Sequence, residues 1–378
     1  MTKYTHICVF CDKKRDRHEI IEGMNGDICK SCLAVIQTIQ SEESIHTNNN
    51  KWSITGVKRS LDTLVMGQDE AKKQLIVELY KHYNAPTIKK NNAILVGDSG
   101  VGKTYLVRTL AGILNVPFME VDITAFSETG YKGKEVTDFL DELIIQQKGD
   151  IDRIEDAIIF LDEIDKMTTT SANGEKSTKL QHALLKVVEG IEYNYNIPMG
   201  NQMLTGTIDT SKIMFVSAGA CMGLSNIRKE RLTPRVTIGF NSGQSTALDN
   251  KVDSLEYTSE DLIEFGFIPE FVGRFPLVIE LHPLTKDNIV DILARHPNSP
   301  IYGARKLFGR EGIDLIVTDK DIDWLAEESI KHPLGVRSVS HILTKRLNNQ
   351  LFDSLSSGEK TINLKDALNP NISKTMTN

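Results

Sequence analysis

The sequence lacks a long apolar run and an excess of positive charge. Its longest uninterrupted apolar stretch is five residues, 157–161, far short of the roughly 18 that a membrane-spanning helix needs. No apolar signal core follows the N-terminal Met-Thr-Lys-Tyr-Thr-His, so we expect no secretion. The 44 lysines and arginines against 51 aspartates and glutamates give a net charge of −7, the opposite of the balance usual in proteins that bind nucleic-acid phosphates. We therefore expect a cytoplasmic protein with neither a membrane nor a nucleic-acid partner.

Cysteine is scarce, and four of the five lie within the first 32 residues. Cys8 and Cys11 form one Cys-x-x-Cys pair, and Cys29 and Cys32 form a second one 17 residues later. Four thiolates at this spacing can surround Zn²⁺, and the metal would supply folding free energy that so short and polar a segment lacks. Two disulfides are the alternative, which a reducing cytosol disfavours. Cys221 stands alone in an apolar stretch and is expected to be a core residue.

Short apolar runs alternate with helical patterns through the middle of the chain. Strands are predicted for residues 93–96, 117–121, 158–161 and 213–216. Apolar residues at helical spacing occur at residues 71–83, 105–114 and 136–145. This alternation predicts an α/β fold with a parallel sheet. Helical patterns dominate beyond residue 281, at 287–293, 321–330 and 336–347, and predict a smaller, mostly helical domain.

A chain of 378 residues is expected to contain two or three domains. The polar segment 41–50, with its consecutive asparagines, is typical of a flexible linker. The predicted organisation is a zinc-binding domain at 1–42, a linker at 43–60, a large α/β domain at 61–282, a small mostly helical domain at 283–368 and a disordered tail at 369–378.

A complete phosphate-binding loop pattern lies between a predicted strand and a predicted helix. It consists of Gly97, Asp98, Ser99, Gly100, Val101, Gly102, Lys103 and Thr104. In such a loop the backbone N–H groups surround a β-phosphate, the lysine reaches the β- and γ-phosphates, and the threonine hydroxyl binds Mg²⁺. The helix that follows points its positive end at the phosphates. The motif predicts a bound nucleoside triphosphate with magnesium.

The strand predicted at 158–161 leads into two adjacent carboxylates, Asp162 and Glu163. Neighbouring side chains on a strand point to opposite sides, so the two can have different roles. We expect Asp162 to support Mg²⁺ through water and Glu163 to polarise the attacking water. A strand that ends in solvated acids is the simpler alternative, but its pairing with the phosphate loop favours ATP hydrolysis.

From about residue 64 to 347 the sequence resembles the ClpX family of AAA+ protein unfoldases, and the N-terminal cysteine segment resembles that family's zinc domain. The resemblance depends on residues 66–72 (Met-Gly-Gln-Asp-Glu-Ala-Lys), the phosphate loop, the acidic strand end, residues 266–276 (Gly-Phe-Ile-Pro-Glu-Phe-Val-Gly-Arg-Phe-Pro) and residues 335–337 (Gly-Val-Arg). It implies an AAA+ P-loop domain with ATP and Mg²⁺, a homo-hexamer, protein substrates and possible adaptors, and a ClpP-type peptidase as partner.

The resemblance also implies roles for residues outside the phosphate loop. Val65 and Met66 fall near the adenine pocket, Arg274 at the arginine finger, and Arg337 at a γ-phosphate contact within the same chain. Ser217 falls in the family's sensor strand. Because an arginine finger acts on a neighbouring subunit's nucleotide, Arg274 implies a ring. The alternative for Arg274 is an ordinary surface arginine.

Two loops resemble segments that the family uses to grip substrate proteins and to dock on a peptidase. Tyr131 and Lys132, in Gly-Tyr-Lys-Gly, match the family's pore loop, where an aromatic ring grips substrate by packing, although the family has valine in place of Lys132. Ile238, Gly239 and Phe240 resemble the tripeptide with which the family docks on its peptidase. A surface tyrosine and an edge strand are the respective alternatives.

Some features depart from the family or favour other functions. The basic loop expected near 198–207 is absent and the second pore loop at 171–178 diverges, so we expect a different substrate preference. The loop at 130–136 matches the Gly-Tyr-x-Gly-Lys-Glu-Val of HslU-like unfoldases. A peptidase-independent remodelling chaperone and a zinc-knuckle ATPase acting on nucleic acid are two further alternatives; the net charge argues against the latter.

Overall fold

The computed structural model describes residues 52–85, 90–126, 136–168, 178–200, 202–232, 256–332 and 335–364, with short segments between residues 6 and 51. The chain divides into two compact units, Met1–Arg59 and Ser60–Asn378.

Short antiparallel strand pairs make up the described part of the N-terminal unit. They are β1 (His6–Ile7) with β2 (Lys14–Arg15), β3 (Ile20–Ile21) with β4 (Ile28–Cys29), and β5 (His46–Thr47) with β6 (Lys51–Trp52). Cys29 ends β4 and its side chain is buried. Cys8, Cys11 and Cys32 lie outside the described residues, so the zinc centre stays a prediction.

The remaining elements belong to the larger unit, apart from residues 54–59 of the first helix. The strands are β7 (Ala93–Val96), β8 (Phe118–Asp122), β9 (Ile158–Asp162), β10 (Glu192–Met199), β11 (Gln202–Asp209), β12 (Met214–Gly219), β13 (Leu277–Glu280), β14 (Asp314–Ile316) and β15 (Thr361–Asn363). The helices are α1 (Ile54–Leu64), α2 (Asp69–Asn84), α3 (Lys103–Leu114), α4 (Asp138–Gln146), α5 (Ile151–Glu155), α6 (Thr178–Glu189), α7 (Leu224–Leu232), α8 (Ser259–Phe265), α9 (Pro269–Val272), α10 (Lys286–Arg295), α11 (Pro300–Arg310), α12 (Asp319–Lys331) and α13 (Arg337–Ser357). Helix α1 begins inside the segment predicted as a linker.

A parallel sheet of five strands, in the order β13-β7-β12-β9-β8, forms the centre of the large domain, which comprises this sheet and the helices up to α9. Strands buried on both faces have nearly continuous apolar sequences, as the fully buried run Ile158–Leu161 shows. The predicted α/β fold and the four predicted strands are confirmed. The edge strand β13 was not predicted.

An antiparallel hairpin of β10 and β11 lies where the family's basic loop was expected. Its register runs from the Glu192–Asp209 pair to the Met199–Gln202 pair. Tyr195 and Ile197 are buried on one side. This hairpin was not predicted, because asparagines and tyrosines interrupt the apolar alternation.

Helices α10–α13 with the parallel pair β14–β15 form the small domain, which has its own core. Capping boxes at Thr285 and Thr318 start α10 and α12. Helix α13 runs ten residues beyond the predicted end at 347, because the chain first adopts a left-handed conformation at Gly358, φ 75°. Within the described part of the chain, no helix is both long and apolar enough to cross a membrane.

Candidate nucleotide site

The phosphate loop connects the buried strand β7 to the start of α3. Gly102 precedes α3 with φ 99°, a conformation that glycine adopts without strain. Gly97 makes a close approach at the other end of the loop: a Cβ there would lie 2.5 Å from the carbonyl oxygen of Leu281. Leu281 in turn donates its N–H to the Val96 carbonyl at 2.7 Å. The loop therefore lies directly beside the chain that leaves β13.

Lys103 is held by the loop itself. Its Nζ donates to the carbonyl oxygens of Gly97 at 2.6 Å and Asp98 at 3.0 Å. Burial lowers the pKa of Lys103, while Asp162 and Asp165 oppose the shift. A phosphate, with a full negative charge, can compete with these neutral carbonyls for the ammonium group.

Thr104 and Asp162 are brought together as the motifs predict. Thr104 Oγ1 donates to Asp162 Oδ2 at 3.3 Å. A hydroxyl and a carboxylate at one point provide the hard oxygen ligands that Mg²⁺ prefers, so this pair fits the predicted metal.

Glu163 differs from the expectation that it continues the strand. Strand β9 ends at Asp162, and Glu163 follows with φ 58°, in the left-handed region. Its N–H donates to Asp162 Oδ1 at 2.9 Å, and its side chain is exposed. The backbone turns at Glu163, so strand alternation does not set the relation between the two carboxylates. A left-handed non-glycine residue costs about 1–2 kcal/mol, which the Asp162 contact offsets in part.

A cavity of about 640 Å³ lies between the large and small domains, within the size range of small-molecule sites. The predicted site residues that line it are Val65, Met66, Ser99, Gly100, Val101, Gly102, Lys103, Thr104, Asp162, Glu163 and Arg337. Gly97 and Asp98 line a second cavity of about 320 Å³ instead. Arg337 begins α13, and its positive charge contributes to the lowered pKa of Lys103. Residues of both domains that are predicted to contact phosphate thus line one cavity.

Arg274 and Ser217 line neither of these two cavities. Arg274 precedes β13, is 39% exposed and donates from Nε and Nη2 to Glu189 Oε1 at 2.9 and 2.5 Å. Ser217 lies within β12 and is fully buried. Its Oγ has no hydrogen-bond partner among the described residues. Arg274 is therefore outside the nucleotide cavity of its own chain, and its guanidinium is paired with Glu189.

Sequence reasoning missed the part of the cavity wall that the small domain supplies. The small-domain members of this wall include Leu284, Ile292, His296, Asn298, Pro300 and Val336. Leu64 and Tyr105, from the large domain, also line the cavity and were not predicted. Asp165, two residues beyond Glu163, could have been noticed as a third carboxylate near the strand end, whereas the small-domain residues have no local motif.

Tyr131, Lys132, Ile238, Gly239 and Phe240 lie outside the described residues. Their predicted roles in gripping substrate and in docking on a peptidase therefore stay predictions.

Comparison with known proteins agrees with this geometry. Residues 88–278 match the AAA domain family (Cdc48 subfamily). Residues 306–366 match the C-terminal, D2-small domain of ClpB protein. A Borrelia duttonii (strain Ly) protein named ATP-dependent Clp protease ATP-binding subunit ClpX is 36% identical over 97% of this chain and 91% of its own length.

Proteins of the same name from two other organisms show similar likeness. The Porphyromonas gingivalis protein is 33% identical over 94% of this chain and 93% of its own length. The Bacteroides thetaiotaomicron protein is 32% identical over 93% and 92%. With the AAA+ sheet and both nucleotide motifs in place, the chain belongs to the ClpX family of AAA+ ATPases and is an ATP hydrolase.

Proposed function

We propose that the protein is an ATP-dependent unfoldase and translocase that works as a homo-hexameric ring and delivers unfolded substrates to a ClpP-type peptidase. The observation that carries this proposal is the position of Arg274, outside the cavity of its own chain and partly exposed. An arginine finger placed in this way needs a neighbouring subunit's nucleotide, and a closed ring gives every subunit such a neighbour.

Within each subunit the residues of the cavity divide the chemistry among them. Lys103 and the loop amides would bind the β- and γ-phosphates, and Thr104 with Asp162 would hold Mg²⁺, which neutralises charge on the transferring phosphoryl group. Glu163 would orient the attacking water and accept its proton. Arg337, from the small domain, would contact the γ-phosphate, so that hydrolysis changes what holds the two domains together.

The mechanical parts rest on the sequence resemblance. Tyr131 would grip the substrate chain, and Lys132 would make that part of the pore basic. Ile238, Gly239 and Phe240 would dock on the peptidase. One structural Zn²⁺ would be bound by Cys8, Cys11, Cys29 and Cys32. Of these four cysteines, only Cys29 lies among the described residues, and its side chain is buried.

Degradation of a folded reporter tests the proposal. The full chain, a ClpP-type peptidase, ATP and a reporter with a suitable degron are combined; loss of reporter fluorescence measures unfolding, and loss of the full-length reporter on a gel measures proteolysis. We expect ATP-dependent loss with the intact chain. With an Ile238→Ala/Phe240→Ala variant we expect unfolding without proteolysis, because the motor is intact and only docking is removed.

Two outcomes would contradict the proposal. Equal proteolysis by the double variant would remove the docking role of this tripeptide. ATP-dependent unfolding by the intact chain with no gain from any ClpP-type peptidase would instead favour the peptidase-independent remodelling chaperone.

A further inference from the structure

One side-chain contact joins the phosphate-loop helix to the small domain across the nucleotide cavity. Tyr105 follows Thr104 in the first turn of α3, and His296 lies at the C-terminal cap of α10. Tyr105 Oη and His296 Nε2 are 2.6 Å apart, and the two rings meet edge to face with centroids 5.5 Å apart. Both side chains line the cavity.

The hydrogen-bond pattern around His296 indicates which nitrogen carries the proton. His296 Nδ1 accepts the backbone N–H of Asn298 at 3.0 Å. In the neutral ring the proton then lies on Nε2, which donates to Tyr105 Oη. The side chain of His296 is only 8% exposed. Burial lowers the pKa of His296 and so favours the neutral ring, although a hydrogen bond to the Leu64 backbone opposes this shift.

A second cross-link lies where the chain passes from the large to the small domain. The Gln68 side chain donates from Nε2 to the His282 carbonyl at 2.7 Å and accepts the His282 N–H at Oε1, 3.1 Å away. Gln68 Nε2 also lies 3.4 Å from the Val101 carbonyl in the phosphate loop. This pair holds the chain at the point where it crosses from β13 to the small domain, which we call the Gln68–His282 crossing.

We propose that Tyr105 and His296 form a latch that holds the small domain against the phosphate-loop helix and thereby sets the affinity of the cavity for nucleotide. Both are positioning residues: they act by keeping the cavity walls in place. Without the latch, the small domain turns more freely about the Gln68–His282 crossing, and the closed cavity is a smaller fraction of the population. Apparent affinity falls in proportion to that fraction.

The test measures ADP binding to the full chain, since ADP is not consumed. Tyr105→Phe removes only the hydroxyl, and His296→Gln removes the ring. Each should raise the Kd for ADP about 2- to 10-fold, the range that one neutral hydrogen bond supports. The double variant should be no weaker than the worse single variant, because both remove one contact. In ATP hydrolysis the change should fall mainly on KM and not on kcat.

Tyr302→Phe is the matched control, because Tyr302 is 39% exposed against 38% for Tyr105 and does not line the cavity. It should leave the Kd unchanged. An unchanged Kd in Tyr105→Phe, additive effects in the double variant, or a loss confined to kcat would each overturn the proposal. If His296→Gln fails to fold, Tyr105→Phe decides alone, since it keeps the aromatic ring.

Discussion

The guanidinium of Arg274 donates twice to a single carboxylate oxygen of Glu189, the last residue of α6. Both side chains are nearly two-fifths exposed. Exposed ion pairs contribute only about 0–1 kcal/mol. Asn92 meanwhile anchors the backbone, donating from Nδ2 to the Arg274 carbonyl at 3.0 Å. The guanidinium can therefore leave Glu189 at little cost while its main chain stays in place, as the proposed finger role requires.

Replacing Arg274 should stop hydrolysis without emptying the cavity of its own chain. Arg274→Ala should lower kcat at saturating ATP by about 10²-fold or more, since arginine fingers contribute up to several orders of magnitude. Glu189→Gln should change kcat only a few-fold. Steady-state ATPase assays check this, with the oligomeric state measured by sedimentation. A kcat near wild type in an assembled Arg274→Ala protein would remove the finger assignment.

Glu163 and Lys103 should separate turnover from binding. Glu163→Gln should keep nucleotide affinity and lower kcat about 10²- to 10⁴-fold, the usual contribution of a positioned base. Lys103→Ala should instead raise the Kd for ATP, because the phosphates lose their cation. Paired Kd and kcat measurements distinguish the two effects. Wild-type turnover in Glu163→Gln would exclude Glu163 as the group that activates water.

The strands that are easiest to predict from the sequence are those buried on both faces. Strand β9 is buried on both faces, so an unbroken apolar run was sufficient to identify it. Strand β13 lies at the sheet edge, and only Ile279 among its residues is fully buried. A run of three apolar residues there does not distinguish strand from helix.

The residues of the nucleotide site also differ in how visible they are in the sequence. The eight residues of the phosphate loop are contiguous, so their chemistry is visible in the sequence. Tyr105 and His296 are separated by 191 positions, and only the packing of the two domains brings them together. The left-handed turn at Glu163 was equally hidden, because nothing in two adjacent acids distinguishes a strand end from a turn.

The N-terminal unit should contain one zinc ion per chain, held by Cys8, Cys11, Cys29 and Cys32. Elemental analysis of the purified protein checks the stoichiometry. Removing residues 1–48 should abolish zinc binding and leave ATPase activity largely intact, since the described cavity is built from residue 64 onward. A zinc-free protein with disulfides would show that this interpretation of the cysteines is wrong.

The pore loop should couple hydrolysis to unfolding. Tyr131→Ala should hydrolyse ATP but fail to unfold a folded reporter, because grip depends on aromatic packing, whereas Tyr131→Phe should retain it. If Lys132 lines the channel, acidic substrates should move faster than basic ones, and Lys132→Val should erase the difference. Added salt should weaken the effect, since screening acts within about 8–10 Å. Unfolding by Tyr131→Ala at the wild-type rate per ATP would contradict the gripping role.

Acid should destabilise the large domain partly through His82, near the C-terminal end of α2. Burial, together with the nearby positive charge of Lys90, lowers the pKa of His82 from 6.5 to about 4. Between these values the unfolded chain binds more protons than the folded one. The free energy of unfolding should therefore fall as pH drops from 6.5 toward 4. Urea unfolding of His82→Gln should show a smaller fall, and identical pH profiles would contradict the prediction.

The close approach of Gly97 to Leu281 gives the phosphate loop a packing role in addition to phosphate binding. Leu281 begins the segment that leads into the small domain, and a methyl group at Gly97 would collide with its carbonyl. Alanine there could be accommodated only if the backbone at Leu281, or the loop itself, shifted. A substitution scan of the loop would thus overstate the contribution of Gly97 to phosphate binding, because much of the lost affinity would come from displacement of the neighbouring backbone at Leu281.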